Sequence, residues 1–257
     1  MKNLITTFYF SNNLKNWSYL INLTGVIIII DPFDAKPIQN YLKNISFEQL
    51  FILNTHLHHD HIAGNKDLQN AYPNCKKYFG LNDVEISLGE NFQLISHSTP
   101  GHCAEHYVYE LIYNEQNTQN SNSNSNSKNV FFTGDLWFQA GIGRCMQGGN
   151  LEQLAASFLK IKKLMNKESL FYPGHDYLIS NYQFARTISY FPHLNNELDF
   201  SLKTDGELIC NNLDFEMKNN IFLWTLMEEN WQKIPKKLQE KTPLDQFIKL
   251  RNLKDKF

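Results

Sequence analysis

The sequence predicts an α/β (α+β) protein, with strands and a few helices first and helices to the end. Three observations predict it. Short apolar runs bounded by turn residues recur between positions 17 and 134. A helical stripe of Leu151, Leu154, Ala155, Phe158, Ile161, Leu164 and Met165 runs through 150–165. The stretch after Tyr177 reads as mostly helical and carries no strand alternation of comparable strength.

In chain order, "WSYLINLTG" and "VIIIIDP" read as two strands joined at Thr24-Gly25, the second apolar throughout as for a strand covered on both faces. "KPIQNYLKNI" has a helical pattern, and "LFILNT" is a buried strand running into a histidine cluster. "FQLISHSTPGH", "HYVYELIY" and "NVFFTGD" are three further strands. Between the last two lies "NTQNSNSNSNSKN", residues 117–129, a low-complexity run read as a flexible hairpin loop because it buries too little apolar surface to order itself. "FYPGHDY" is a short strand and turn, and a domain boundary is expected near Tyr177, giving 1–176 and 177–257.

Composition narrows the function. The 257 residues are 42% apolar, enough for a sizeable core. A net charge of −2 offers no general surface for nucleic acid or anionic membrane. The longest aliphatic run, Val26 to Ile30, is far below the roughly 20 apolar residues of a membrane span. The N-terminus lacks the long apolar core and small-residue cleavage site of a signal peptide. Cys75, Cys103, Cys145 and Cys210 are widely spaced without a C-x-x-C pair, so no disulfide framework or cysteine zinc site is expected. A soluble, cytoplasmic protein is the expectation.

Residues 56–61 hold four histidines and an aspartate. His56 and His58 follow an extended run, where alternate residues point the same way, so both imidazoles can bind one metal. Asp60 and His61 follow the turn and can reach a second. "TPGH", "FFTGD" and "YPGH" add His102, Asp135 and His175, each at a strand end and each preceded by glycine, which permits a sharp turn and close backbone approach. The set divides into His56, His58 and His102 on one metal and Asp60, His61 and His175 on the other, with Asp135 bridging. Singly, each such "GH" or "GD" is an ordinary turn; their joint pattern is what points to metal. His59 falls in a flanking slot, and His97, His106 and His193 suit surface or hydrogen-bonding roles, His106 being best placed to support a ligand.

These residues resemble the metallo-β-lactamase superfamily, whose THxHxDH signature stands here as "THLHHDH". Within it, "TPGHCAEHYVY", "FFTGDLWFQAGIGRCMQGG", "YPGHDYLISNYQFAR", "NNIFLW" and the ending "LRNLKDKF" resemble the glyoxalase II (hydroxyacylglutathione hydrolase) family over almost the whole chain. The resemblance implies a four-layer αββα sandwich carrying two divalent metals, zinc by default with iron or manganese also suitable, and a small C-terminal helical domain that helps bind glutathione. It implies hydrolysis of S-D-lactoylglutathione to D-lactate and glutathione by a metal-bridging hydroxide, the second step of methylglyoxal detoxification. Asp60 and Asp135 are then catalytic as well as ligating. Arg144, Tyr177, Arg251 and Lys254 stand at the family's glutathione-binding positions, although Arg251 and Lys254 would otherwise read as a solvated helix face. The expected partner is a small glutathione thioester met by a monomer, with no nucleic acid and no membrane. The chain departs from the family at Phe33, Cys103, Met146, Gln147 and Trp224, and Met146 stands where the family often has a tyrosine that contacts glutathione.

The main competing reading is a glutathione persulfide dioxygenase with a single iron, which the terminal "RNLKDKF" opposes. A nuclease would need basic surface for phosphates, a β-lactamase would need an export signal, and an inactive metal-binding scaffold would not need an intact ligand set.

Overall fold

The computed structural model describes residues 4–23, 25–78, 85–88, 91–114, 127–146, 148–188, 204–209, 211–227, 230 and 234–257. Gln147, His193, Cys210 and most of the 117–129 run lie outside them.

Two five-stranded sheets face each other. In the first, β1 (Ile5–Tyr9), β2 (Trp17–Leu23), β3 (Val26–Ile30), β4 (Gln49–Leu53) and β5 (Lys76–Tyr78) lie in sequence order. The second comprises β6 (Glu85–Ser87), β7 (Phe92–Ser98), β8 (Tyr107–Asn114), β9 (Ser127–Gly134) and β12 (Leu170–Pro173), in spatial order β12-β9-β8-β7-β6. Between β9 and β12 in sequence come a two-stranded hairpin, β10 (Trp137–Phe138) with β11 (Gly141–Ile142), and helix α4 (Leu151–Leu164).

Strand alternation sets the layers. Ile28 and Ile30 point between the sheets, where they meet Trp17, Tyr19, Tyr109 and Phe132. Ile27 and Ile29 point the other way, against Ile38 and Leu42 of α1 (Ala35–Leu42) and Leu68 of α3 (Asn65–Ala71). This is why the run is apolar at every position, and burying each side chain is worth about 1.5–3 kcal/mol. The outer face of the second sheet, with Val108 and Phe131, packs on α4 and on the C-terminal helices α5 (Leu178–Ile188), α6 (Leu213–Asn219), α7 (Ile221–Thr225) and α8 (Pro243–Lys254). The architecture is the expected αββα sandwich. Residues on both sides of position 177 share that last core, from Phe158 to Phe222 and Phe247.

Four of the helices, α4, α6, α7 and α8, begin at capping side chains. The side chains of Asn150, Asn212, Asn220 and Thr242 each accept a backbone N–H of the first turn. Four pieces of strand, β1, β5, β6 and the β10–β11 hairpin, go beyond the sequence expectation. No helix among the described residues is long and apolar enough to cross a membrane.

Candidate metal centre

Parallel pairing of β3 with β4 and of β12 with β9 sends their C-terminal ends to one rim. The chain segments leaving β4, β7, β9 and β12 carry the histidine cluster, His102, Asp135 and His175. The ligand segment after β4 is not an extended continuation of it, contrary to the sequence expectation. The strand stops at Leu53, the chain bends at Thr55 and His56, and a short helix α2 (His59–Ile62) begins directly after His58. His56 therefore presents Nε2 and His58 presents Nδ1, 2.9 Å apart. His102 Nε2 stands 3.0 Å from the same His58 nitrogen.

On the other side, His61 Nε2 and His175 Nε2 are 3.3 Å apart. Asp60 Oδ2 lies 3.6 and 3.5 Å from them. Asp135 spans both groups. Its Oδ1 is 3.3 Å from His61 Nε2 and 3.2 Å from His175 Nε2, and its Oδ2 is 3.6 Å from His102 Nε2. The structure thus brings together all seven predicted ligands, in three overlapping groups whose donor atoms lie within 4.8 Å of one another.

The far nitrogens of these rings fix their tautomers. His61 Nδ1–H donates to Asp31 Oδ2 at 2.9 Å, His175 Nδ1–H to Leu14 O at 2.8 Å, and His102 Nδ1–H to Arg144 O at 2.7 Å. Thr55 Oγ1 donates to Asp31 Oδ2 at 2.6 Å and so accepts from His56 Nδ1 at 3.1 Å. In the neutral His56, His61, His102 and His175 rings, Nε2 is then a lone pair aimed inward. Asp135 Oδ1 is buried without a hydrogen-bond partner and faces two of them. Lone pairs set against a carboxylate oxygen repel unless a cation stands between. Donors on a tetrahedral cation at about 2.0–2.1 Å lie roughly 3.3 Å apart, and the separations here bracket that edge. The donor set fits divalent metal ions.

Burial opposes charge on both His61 and Asp135, yet Asp135 and Asp31 hold the His61 pKa well above 6.5, and His175 and His61 hold Asp135 well below the usual carboxylate range; the negative field of the carboxylates favours positive charge here, which a proton on His61 or a metal ion supplies. Burial pushes His56 far down and His58 down, which keeps those two ligand rings neutral, and it pushes His106 far down as well.

Two supports were absent from the sequence reading. Asp31, directly after β3, accepts from Thr55 N, Thr55 Oγ1 and His61 Nδ1. An aspartate closing a five-residue aliphatic strand is the signal that points to it. Buried Asn16 donates to Asp60 Oδ2 at 2.9 Å and has no comparable signal. His106, expected to support a ligand, accepts the Asp135 backbone N–H at 3.1 Å. His59 is exposed, and His97 is buried against Glu110 on the outer face of the second sheet.

Glycines 134 and 174 stand where a Cβ could not. It would lie 2.5 Å from Thr55 Oγ1 in one case and 2.4 Å from Asp135 Oδ1 in the other, and Gly134 also has a φ of +49°.

The remaining predicted residues lie around the cluster. Tyr177 stacks on His175 with ring centres 5.0 Å apart, and burial raises its phenol pKa. Arg144 is exposed. Arg251 is buried: its Nη1 donates to Ile142 O, its Nη2 pairs with Asp255, and burial lowers its pKa, with Arg144 close enough to add repulsion. Lys254 donates to Ser180 O, and burial with Arg251 lowers its pKa to about 8. Among the departures, Trp224 is buried and donates to Met217 O, and the Phe33 N–H is taken by Ser18 Oγ. Burial raises the Cys103 thiol to about 11, leaving little thiolate. Leu14, Leu57 and Met146 are exposed; Leu14 O accepts from His175 Nδ1, and the Met146 N–H donates to His102 O.

The metallo-β-lactamase superfamily matches residues 12–110. A hydroxyacylglutathione hydrolase of Pelagibacter ubique (strain HTCC1062) is 33% identical, over 94% of this chain and 95% of its own. The chain belongs to the hydroxyacylglutathione hydrolase family. The family member of Francisella tularensis subsp. novicida (strain U112) is 31% identical over 98% of this chain and 99% of its own, and the Arabidopsis thaliana protein named as the cytoplasmic hydrolase is 28% identical over 94% and 95%. In fold, the chain resembles a metallo-β-lactamase crystal structure from Staphylococcus aureus, with a TM-score of 0.52 at 24% identity, over 66% of this chain and 55% of that one.

Proposed function

We propose that this protein is a thioesterase that hydrolyses S-D-lactoylglutathione to D-lactate and glutathione, the second step of methylglyoxal detoxification. The observation that carries the reading is a seven-donor cluster with Asp135 spanning its two halves, in a chain of this family. His56, His58 and His102 would hold one divalent cation and Asp60, His61 and His175 the other, zinc being our choice for both. Bound there, the cations lower the pKa of a water toward neutrality and polarise a thioester carbonyl.

The chain's own groups do the rest. Asp31, Leu14 O and Arg144 O keep three imidazoles in the tautomer that points Nε2 inward. Asp60, held by Asn16, and Asp135, held by His106, present carboxylate oxygens that orient the attacking water. Arg144 and Lys254 supply positive charge for the carboxylates of glutathione, and Tyr177 a phenol donor. For Arg251 we propose a contribution through its field, since its Nη groups already hold Ile142 O and Asp255. The departing thiolate is stable, a thiol having a pKa of about 8.5, so no strong acid is needed. Residues 177–257 form the glutathione-binding helical part. The name of the Arabidopsis relative supports a cytoplasmic site.

The test is loss of thioester absorbance when the metal-loaded protein meets S-D-lactoylglutathione. Turnover should vanish with chelator and return with metal. Asp135→Ala should lose metal and activity together; an active, fully metallated variant overturns the assignment. Oxygen uptake on glutathione persulfide in place of hydrolysis would favour the single-iron dioxygenase.

A further inference from the structure

Glu216 is completely buried in α6 and touches none of the seven ligands. Its carboxylate accepts three N–H groups. Oε1 takes Ala140 N at 2.7 Å, and Oε2 takes Trp137 Nε1 at 2.9 Å and Asn220 Nδ2 at 2.6 Å. Two of these partners belong to the β10–β11 hairpin, and the third also donates to that hairpin, to Gly141 O at 3.1 Å. The grip extends along the whole tip. Asn181 Nδ2 donates to Gln139 O at 3.0 Å and Arg251 Nη1 to Ile142 O at 3.0 Å. Four consecutive residues, 139–142, each hand one backbone group to a side chain from the C-terminal helices.

The hairpin is joined to the metal ligands at both ends. It starts immediately after Leu136, which follows Asp135, and it ends two residues before Arg144, whose carbonyl receives His102 Nδ1–H at 2.7 Å. Between them, Phe138 packs on His175 at 5.8 Å and on Tyr177 at 5.1 Å. Ala140 sits at φ +53°, a left-handed conformation that its backbone bond to Glu216 helps fix.

We propose that Glu216 is a positioning residue for the metal centre: by gripping the 137–142 hairpin it sets Asp135, His102 through the Arg144 carbonyl, and the Phe138 wall against His175. The C-terminal helices then have a second task besides meeting glutathione. This rests on the metal-binding reading but not on the identity of the substrate.

The test uses the full chain loaded with cobalt(II) in place of the native metal. Glu216→Gln keeps the shape of the side chain but offers one acceptor oxygen instead of two. It should fold, as near-ultraviolet circular dichroism would show, and still bind cobalt with an altered visible spectrum. It should yield metal to a chelator about ten-fold more readily, as losses of supporting partners do, with kcat falling more than KM rises. Asn181→Ala, which releases only Gln139 O, should move the same readouts in the same direction by less, and it carries the test if Glu216→Gln does not fold. A folded variant of either kind with the wild-type spectrum and metal affinity overturns the proposal. Neither metal readout involves substrate, so a wild-type protein that failed to cleave the thioester would leave this test intact.

Discussion

Asp31 accepts two hydrogen bonds from Thr55 and one from His61, so a single carboxylate orients two of the rings that face the metals. Removing it as Asp31→Ala should cost about 10–100-fold in metal affinity, read by chelator competition; an unchanged affinity would show that His61 needs no orienting partner. Its importance was hard to read from sequence, because it acts on a residue 30 positions away. The seven ligands were legible for the opposite reason: four lie within six positions and three follow a glycine. Glu216 gives a second test at this scale. Burial raises its carboxyl from 4.5 to about 7, against the pull of its N–H donors from Ala140, Trp137 and Asn220. In the unfolded chain the ordinary value returns. Between those two values the folded protein keeps a proton that the unfolded chain has released. The group's stabilising contribution is therefore complete below about pH 4.5 and is lost as pH rises through about 7. Measured in chelator, the stability of the wild type relative to Glu216→Gln should fall by roughly 3 kcal/mol between those limits. A pH-independent difference would contradict the shift.

At the scale of elements, the β10–β11 hairpin is the piece that sequence patterns did not disclose. Two-residue strands are too short to show a period, and its order comes from side chains 42 to 109 residues away. Longer elements were legible because burial repeats along them. The all-aliphatic β3 is covered on both faces, and most of the α4 stripe, Leu154, Ala155, Phe158 and Ile161, faces the core, although Leu164 of that stripe is exposed. The turn before Asp60 and His61 was expected, but it comes earlier than the His-x-His spacing suggested: the chain already bends at Thr55 and His56, and a helical turn carries Asp60 and His61. The hairpin's tight closure has its own consequence. A Cβ on Gly143 would lie 1.8 Å from Asp135 O. Gly143→Ala should lower stability by about 1–3 kcal/mol and lower metal content with it. A variant that melts normally and keeps its metal would show that the hairpin yields without disturbing Asp135.

Across the whole molecule, two sheets of five strands present their ends at one rim, and the C-terminal helices share a core with the outer face of the second sheet. The sandwich holds the rings, and the helices bring Arg251 and Lys254 toward Arg144, a local cluster of cations in a chain of net charge −2. The order of layers was implied by the resemblance of the histidine signature to a known family, not by the order of strands and helices alone. The sharing of one core across position 177 could not be anticipated, since it depends on which apolar faces meet. The central claim is that two cations on seven ligands make one hydrolytic centre. It is tested most directly by titrating the metal-free protein with zinc while following S-D-lactoylglutathione hydrolysis. The account predicts activity that rises to a plateau at two equivalents per chain. Full activity at one equivalent, or none at two with both bound, would contradict it.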